Sequence, residues 1–593
     1  MSSEEATTPA APEPAHTAPA RPEPPHTAPD QSAPAHTAGA VPATAPARPA
    51  PAPDQPRPLA VPAPRAPLRW DVWGDGSHPT TLPPGAKAIA AALLRGRPHP
   101  LPRPAPPVLP PVRLSDDDLA ALRETAEVTC DDEVRRRHLG GKSTPDLLRR
   151  RLGVTDPAPD AVALPRTHAE VAALLRVCDD RGIAVVPFGG GTSVVGGVTP
   201  CGGTDATTAR VRPVLALDLS RTQALIALDE TSLLATFGAG TTGPQAEELL
   251  AAHSLTLGHF PQSFEFASLG GFAATRSSGQ ASSGYGRFDD LVHRLRVATP
   301  VGDLDLGRAP RSAAGPDLRE LILGSEGAFG VITELTVRVR RRPAATGYGA
   351  WTFPDFESGA AALRELVQRG IRPTVIRLSD ATETRVNAAL GGHLTRLRGC
   401  LAVATFEAET AAQAAQARER TAAVCAAHGG RDRGDEPARS WERGRFSSPG
   451  LRDALLDVGV LAETLETATT WADLPALKDA VTTALRSQLR SPVVMCHISH
   501  VYPAGASLYV TVAAAADADP LAQWARAKDA ASRAVVASGA TITHHHAVGR
   551  DHRPFLADEI GPLGVAVLRS VKHTLDPHGI MNPGVLIAAD EAG

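Results

Sequence analysis

PFGGGTSVVGGV, residues 187–198, holds five glycines in twelve positions, directly after the apolar run Ile183, Ala184, Val185 and Val186. A residue without Cβ reaches positive φ at little cost and lets another group lie against the backbone. Successive peptide N–H groups can then turn inward as a nest for an anion such as a pyrophosphate. The stretch lacks the lysine of the nucleotide-triphosphate P-loop and does not follow the G-x-G-x-x-G spacing. A tight turn of purely structural use is the alternative for the segment taken alone.

Upstream, AVALP at 161–165 is a strand candidate, and Thr167 with Glu170 reads as a capping signal. Behind that signal, Val171, Leu174, Leu175 and Cys178 share one face of a helix. Strand, capped helix, strand and glycine loop make an α/β unit. Val194 and Val198 resume a strand-like pattern, so the loop is expected between strands, unlike the strand-to-helix turn of the dinucleotide fold. Downstream, 214–219 and 225–238 contain strand-like stretches, and 242–255 reads as a helix. Gly270, Gly271, Gly279, Gly284 and Gly286 then alternate with the hydroxyls of Ser268, Thr275, Ser277 and Ser278. Further on, LILGSEGAFGVITELT at 321–336 has glycines at 324, 327 and 330 before a β-branched run. Three glycine-rich elements could converge on one nucleotide-sized ligand, with close backbone approach and short polar groups. A structural loop cluster is the alternative.

The chain has 593 residues, more than one compact domain normally holds, and a net charge of -4 that gives no reason to expect nucleic acid. Its six cysteines are scattered without a CxxC pair, which signals neither a disulfide framework nor a structural zinc site. No apolar run reaches the length of a membrane span. The first 68 residues are Pro/Ala-rich, with His16, His26 and His36 each opening an HTA triplet, and are expected to be a disordered tail. Trp70 and Trp73 mark the start of order, and Ser115 with Asp118 caps a helix expected to run to about 127.

Past Pro343 the pattern changes to strand, capped helix and strand, then a strand at 401–406 and an Ala/Glu/Arg helix from 409 to 428. A mostly helical stretch is expected over 458–485 and a strand hairpin over 497–511. This alternation fits helices stacked on an antiparallel sheet. THHHAVGRD at 543–551 follows, with His544, His545 and His546 adjacent. Adjacent side chains diverge in a strand or a helix, so one run makes a poor three-histidine metal site, and no metal is expected. Histidine titrates near neutrality and serves as acid or base.

These motifs resemble the vanillyl-alcohol-oxidase-type flavoproteins, whose FAD domain carries a PxGGGT pyrophosphate loop, and among them the alkyldihydroxyacetonephosphate synthases. The resemblance covers about residues 70–586. It implies an α+β fold: a two-part PCMH-type FAD-binding domain with an α/β cap built on an antiparallel sheet. It implies noncovalent FAD, since the second contact loop carries neither histidine nor cysteine and His259 lies only near it. The implied cofactor contacts are Pro187, Phe188, Gly189, Gly190, Gly191, Thr192 and Ser193 in the first set, and Gln262, Ser263, Phe264, Glu265, Phe266, Ala267 and Ser268 in the second. Thr275, Arg276, Ser277 and Ser278 form the third set, and Glu326, Gly327, Ala328, Phe329, Gly330, Val331 and Ile332 the fourth. The chain is thereby divided into a tail (1–68), a helical and extended segment (69–157), an FAD-binding domain (158–342), a substrate-binding cap (343–540) and a C-terminal segment returning to the flavin (541–593).

The resemblance also implies the chemistry: exchange of the acyl group of an acyl-dihydroxyacetone phosphate for a fatty alcohol, forming an ether with no net redox role for FAD. His544, His545, His546 and Tyr509 are the implied catalytic set, with Tyr509 and His545 as the acid/base pair. Arg452 is the implied phosphate or carboxylate partner, and Arg377 a second substrate-binding residue. A half-buried strand aromatic and two ordinary salt bridges are the plain alternatives for Tyr509 and for the arginines. The chain departs from the pattern at Ala547, where a glycine is common, and at His497, where an arginine is common. LDPHGIMNPGVL at 575–586 also resembles the ending of 2-hydroxy-acid dehydrogenases, so an FAD-linked dehydrogenase or oxidase of a 2-hydroxy acid or alcohol is the competing reading. Either reading expects a lipid-like or small organic substrate and a cytoplasmic protein. Both admit peripheral contact with a membrane surface, and a homodimer.

Overall fold

A computed structural model describes residues 58–77, 81–95, 100–101, 105–154, 157–204, 210–391 and 398–588. All belong to one unit spanning 56–593. The three HTA histidines lie outside the described residues. Regular contacts are already made N-terminal to Trp70. Ala60 exchanges backbone hydrogen bonds with Leu225, and the Arg65 guanidinium donates to the Gly189 carbonyl at 2.8 Å. Leu68 is buried with Phe188 and Phe266. The disordered-tail reading is therefore corrected for 58–68: one bridge, one guanidinium and one leucine hold this extension against the glycine loop.

The sheet that carries the loop has the order Val128–Thr129, Ala161–Ala163, Val214–Asp218, Ala184–Phe188, with the last three strands mutually parallel. Helix His168–Asp180 covers it. Thr167 Oγ1 accepts from the Glu170 amide, and Val171, Leu174, Leu175 and Cys178 are fully buried. Each such aliphatic side chain stabilises by roughly 1.5–3 kcal/mol. The glycine loop leaves Ala184–Phe188 and the chain returns as the adjacent strand Val214–Asp218, so the loop does lie between strands. Residues 194–198 form bends and turns, not the expected strand, because Gly196 and Gly197 favour turning over extended pairing. A five-stranded antiparallel sheet follows, in the order Leu225–Asp229, Leu234–Gly238, Val331–Arg338, Val292–Thr299, Gly302–Leu306.

The second half is built on a seven-stranded antiparallel sheet: Arg431–Asp432, Ala345–Phe353, Cys400–Ala408, Val375–Ser379, Val493–Val501, Gly505–Ala515, Val460–Thr470. Helices Phe356–Gln368, Ala411–Ala427, Leu474–Gln488 and Pro520–Ala537 contribute buried side chains to its core. Val460–Thr470 corrects the helical reading of 458–485. All eleven of its residues pair with Gly505–Ala515, and only Leu474–Gln488 of that stretch forms a regular helix. Four β-branched threonines (464, 467, 469, 470) suit the pleat better than the helix. The register matters for chemistry. Glu466 and His497 both stand opposite Tyr509, and directly paired residues project from the same face of a sheet.

Candidate active site

The glycine loop packs backbone against backbone. A Cβ at Gly190 would lie 2.2 Å from the Phe266 carbonyl oxygen, and one at Gly189 would lie 2.3 Å from Ser268 Oγ. The first and second glycine-rich elements are thus one wall. They open on a cavity of about 470 Å³ that also takes in the cap sheet. Pro187, Phe188, Gly189, Gly190, Gly191, Thr192 and Ser193 all line it. So do Gln262, Ser263, Ala267, Ser268, Thr275, Ser277, Ser278, Glu326, Gly327, Gly330, Val331 and Ile332.

Six expected cofactor contacts are not part of this cavity's lining: Phe264, Glu265, Phe266, Arg276, Ala328 and Phe329. Phe264 stacks on Phe446, and Phe266 packs edge-on against Trp73. Arg276 turns outward to Asp289 and Glu320, while Ala328 and Phe329 are core residues. Strand and loop alternation sends neighbouring side chains to opposite sides, so a contiguous motif contributes only part of its length to a wall.

The residues present fit a flavin nucleotide. Gln262 Nε2, Ser278 Oγ and Gln280 Oε1 are buried, lack a protein partner and line the cavity, so polar groups are left for a heterocycle. Gly189 and Gly190 let the loop pack tightly on the second element, which keeps its backbone at the cavity wall, where peptide N–H groups suit an anion. His259, the histidine nearest the second element, is buried behind the wall, with its Nε2 on Ser277 Oγ and its ring against Phe272 and Phe288.

Glu326 joins this wall to the histidine turn. Its Oε2 accepts from the amides of Val548 and Gly549, at 3.1 and 2.8 Å. Burial nonetheless raises its pKa to about 7, against an ordinary 4.5. Between those values the folded chain holds a proton that the unfolded chain has released. The stability from this group is therefore complete below pH 4.5 and lost as pH rises to 7. The full loss is on the order of 3 kcal/mol. Glu326→Gln keeps the oxygen acceptor and removes the titration. Flavin-stripped E326Q is expected to be more stable than wild type above pH 7 by about that amount, measured by denaturant unfolding, with the two converging in acid. Parallel pH profiles would contradict this.

The turn after Thr543 is organised by a buried carboxylate that sequence reasoning missed. Glu466, on Val460–Thr470, accepts from Thr543 Oγ1–H and from the His544 and His546 amides at 2.5, 2.5 and 2.8 Å. It also faces His545 Nδ1 at 3.4 Å. Burial opposes its ionisation, but attraction to any proton carried by the flanking imidazoles, together with the Thr543 hydroxyl, holds its carboxyl well below the ordinary range. Burial conversely pushes His545 far down, against the pull of Glu466, and lowers His546. Both imidazoles are neutral bases near neutrality. Ala547 takes φ +73°, a left-handed backbone position where the missing glycine would be unstrained.

His545, His546, Tyr509, Arg377 and Arg452 all line the cavity, whereas His544 stands behind it. Tyr509 and His545 meet as stacked rings 5.9 Å apart, not through a hydrogen bond; His545 Nδ1 instead contacts His544 Nδ1 at 3.0 Å. Burial raises the Tyr509 phenol to about 12. Arg452 is held by Asp453 and the Lys142 carbonyl. Arg377 is held by buried Glu383, whose carboxyl falls to about 2 because His497 and Arg377 outweigh the burial that opposes it. His497, one of the two departures from the resembled pattern, bonds to both Arg377 and Glu383 and stacks on Tyr509. His500, also missed, brings one ring nitrogen within 4.8 Å of nitrogens on His544 and His545, a spacing a metal could bridge. Its ring nitrogens are engaged otherwise: Nε2 with the Gly279 carbonyl, Nδ1 with Ser499 and Ser507.

A cavity shared between a glycine-rich α/β domain and a large antiparallel sheet is the arrangement of a two-part FAD-binding fold. The chain matches the FAD binding domain family over residues 159–305 and the C-terminal domain of FAD linked oxidases over 342–586. It belongs to the vanillyl-alcohol-oxidase/PCMH-type FAD-binding superfamily. It is 32% identical to the alkyldihydroxyacetonephosphate synthase of Trypanosoma brucei brucei over 79% of this chain and 80% of that one. It is 28% identical to the mitochondrial cytochrome D-lactate dehydrogenase of Arabidopsis thaliana over 72% of this chain and 73% of that one. A solved alkyldihydroxyacetonephosphate synthase superposes with a TM-score of 0.74 at 26% identity, covering 87% of this chain and 99% of the other. Among the described residues, no helix is long and apolar enough to cross a membrane.

Proposed function

We propose that this chain holds FAD noncovalently and exchanges the acyl group of an acyl-dihydroxyacetone phosphate for a fatty alcohol, as an alkyldihydroxyacetonephosphate synthase. One observation carries the reading: a single cavity is bounded by the glycine loop, by His545, His546 and Tyr509, and by apolar side chains that suit a hydrocarbon chain. Ile89 and Leu93 come from helix Pro84–Leu94, with Leu455, Val493, Met495 and Ala513 from the cap. This apolar lining suits a hydrocarbon chain better than a small hydroxy acid.

Residues 187–193, with Gln262, Ser278 and Gln280, would hold the flavin nucleotide. When bound, FAD would supply an electron-poor isoalloxazine for group exchange without net electron transfer. His545 takes the substrate α-proton through the ring nitrogen left free for the cavity, and Glu466 steadies the imidazolium that results. The Tyr509 hydroxyl is too weak an acid to ionise and serves as a hydrogen-bond donor to the enolate oxygen. Arg452 and Arg377, both on the cavity wall, would offer guanidinium N–H groups to phosphate and carboxylate oxygens, each with one carboxylate partner already fixing its direction.

The test is incubation of the holoenzyme with palmitoyl-dihydroxyacetone phosphate and hexadecanol, followed by mass spectrometry. The alkyl ether and free palmitate in equal amounts are expected. No ether, together with bleaching of the flavin by a 2-hydroxy acid, would overturn the reading in favour of an oxidoreductase.

A further inference from the structure

His544 is the one histidine of the run that leaves the cavity wall, and its two ring nitrogens point along a path. Its Nε2 lies 2.6 Å from the Tyr502 hydroxyl, and its Nδ1 lies 3.0 Å from His545 Nδ1. Tyr502 occupies the hairpin turn between Val493–Val501 and Gly505–Ala515, exchanging backbone hydrogen bonds with Gly505. Tyr502 is half-buried as a residue, and the next two residues, Pro503 and Ala504, are exposed. Across the domain boundary, Arg287 donates to the His544 carbonyl at 2.9 Å and also lies against the Tyr502 hydroxyl. Both protein partners of His545 sit on Nδ1, which leaves Nε2 for the cavity.

We propose that Tyr502 and His544 form a proton relay that joins His545, in the cavity, to solvent at the hairpin turn. This deepens the proposed reading by giving the substrate α-proton a route out of a cavity that the substrate's own chain fills. The path balances. A proton arrives at His545 Nε2 while Nδ1–H passes its proton to His544 Nδ1. His544 Nε2–H then passes its own to the Tyr502 oxygen, and the former hydroxyl proton leaves to water. Afterwards every bond in the chain points the other way: Tyr502 donates to His544 Nε2, and His544 Nδ1–H donates to His545. Glu466, 3.4 Å from His545 Nδ1, neutralises the charge in transit. Arg287 favours electron density on the Tyr502 oxygen, while burial holds that phenol protonated between transfers. Tyr502 and His544 are thus positioning and relay residues rather than groups that touch substrate.

The experiment uses the FAD-loaded full chain in deuterated water, with palmitoyl-dihydroxyacetone phosphate, comparing wild type with Tyr502→Phe. Deuterium entry at the substrate α-carbon is followed by mass spectrometry alongside ether formation. Y502F is expected to slow entry at least about tenfold, with little change in KM, and added imidazole is expected to restore part of the rate. Incorporation of 3-fluorotyrosine at 502 keeps the shape and makes the hydroxyl more acidic; the entry rate is expected to move with that acidity. Equal entry rates in wild type, Y502F and the fluorotyrosine protein would overturn the relay. A wild type that neither admits deuterium nor forms ether contradicts the synthase reading instead. In that case, proton release during flavin reduction by a hydroxy acid, read with an indicator dye in the same three proteins, decides the relay by the same comparison.

Discussion

Glu466→Gln is expected to lower ether formation by about 10²–10³-fold while the protein still binds FAD. Two losses add. The carboxylate has one oxygen receiving Thr543 Oγ1–H and the His546 amide, and the other receiving the His544 amide and facing His545. An amide nitrogen in either place confronts a buried N–H or O–H donor, and each orphaned donor costs roughly 1–3 kcal/mol. The second loss is charge: an imidazolium formed at His545 has its counter-ion on Glu466, which the glutamine does not replace. The flavin wall remote from this turn keeps its own contacts, so FAD content separates lost chemistry from lost folding. Wild-type turnover in E466Q would remove Glu466 from the account.

Gly190→Ala is expected to leave protein with less than about a tenth of the wild-type FAD, a change of roughly 1.4 kcal/mol or more in binding. The added methyl would sit 2.2 Å from the Phe266 carbonyl oxygen and 2.7 Å from Ala267 Cα. Both neighbours are backbone, so no rotamer change relieves the clash, and loop and second element must separate. Such overpacking typically costs 1–3 kcal/mol, on the order of what the expected loss requires. Gly450→Ala is the control. It lies in helix Ser448–Asp457 with nothing within 4 Å of a new Cβ, so full flavin content is expected there. Full flavin in G190A would show that the loop does not cradle the cofactor.

Local signals in the sequence were legible where one segment decides its own structure. The Thr167 cap, the buried face of the following helix, the glycine loop between strands and the hairpin expected over 497–511, which the structure extends to 493–515, all follow from turn, cap and periodicity rules. Val460–Thr470 escaped them because its glutamates and alanines imitate a polar helix; pairing with Gly505–Ala515 overrides that local preference. The partners of the histidine run escaped for a different reason. Glu466 lies 78 residues before His544 and Tyr502 lies 42 before it, and only the sheet register and the hairpin turn bring them together. A buried glutamate in a strand is the signal that could have been noticed, since such a charge needs donors. Neither the contact between Arg377 and Glu383 nor that between Arg452 and Lys142 leaves any mark in spacing.

The central claim is that the flavin in this cavity serves group exchange rather than oxidation. Its most direct test is the visible spectrum of the anaerobic holoenzyme before, during and after turnover of palmitoyl-dihydroxyacetone phosphate with hexadecanol. The account predicts many equivalents of ether per flavin, with the oxidised-flavin spectrum recovered in full when the substrate is spent. One equivalent of stably reduced flavin per enzyme, with no ether, would contradict it.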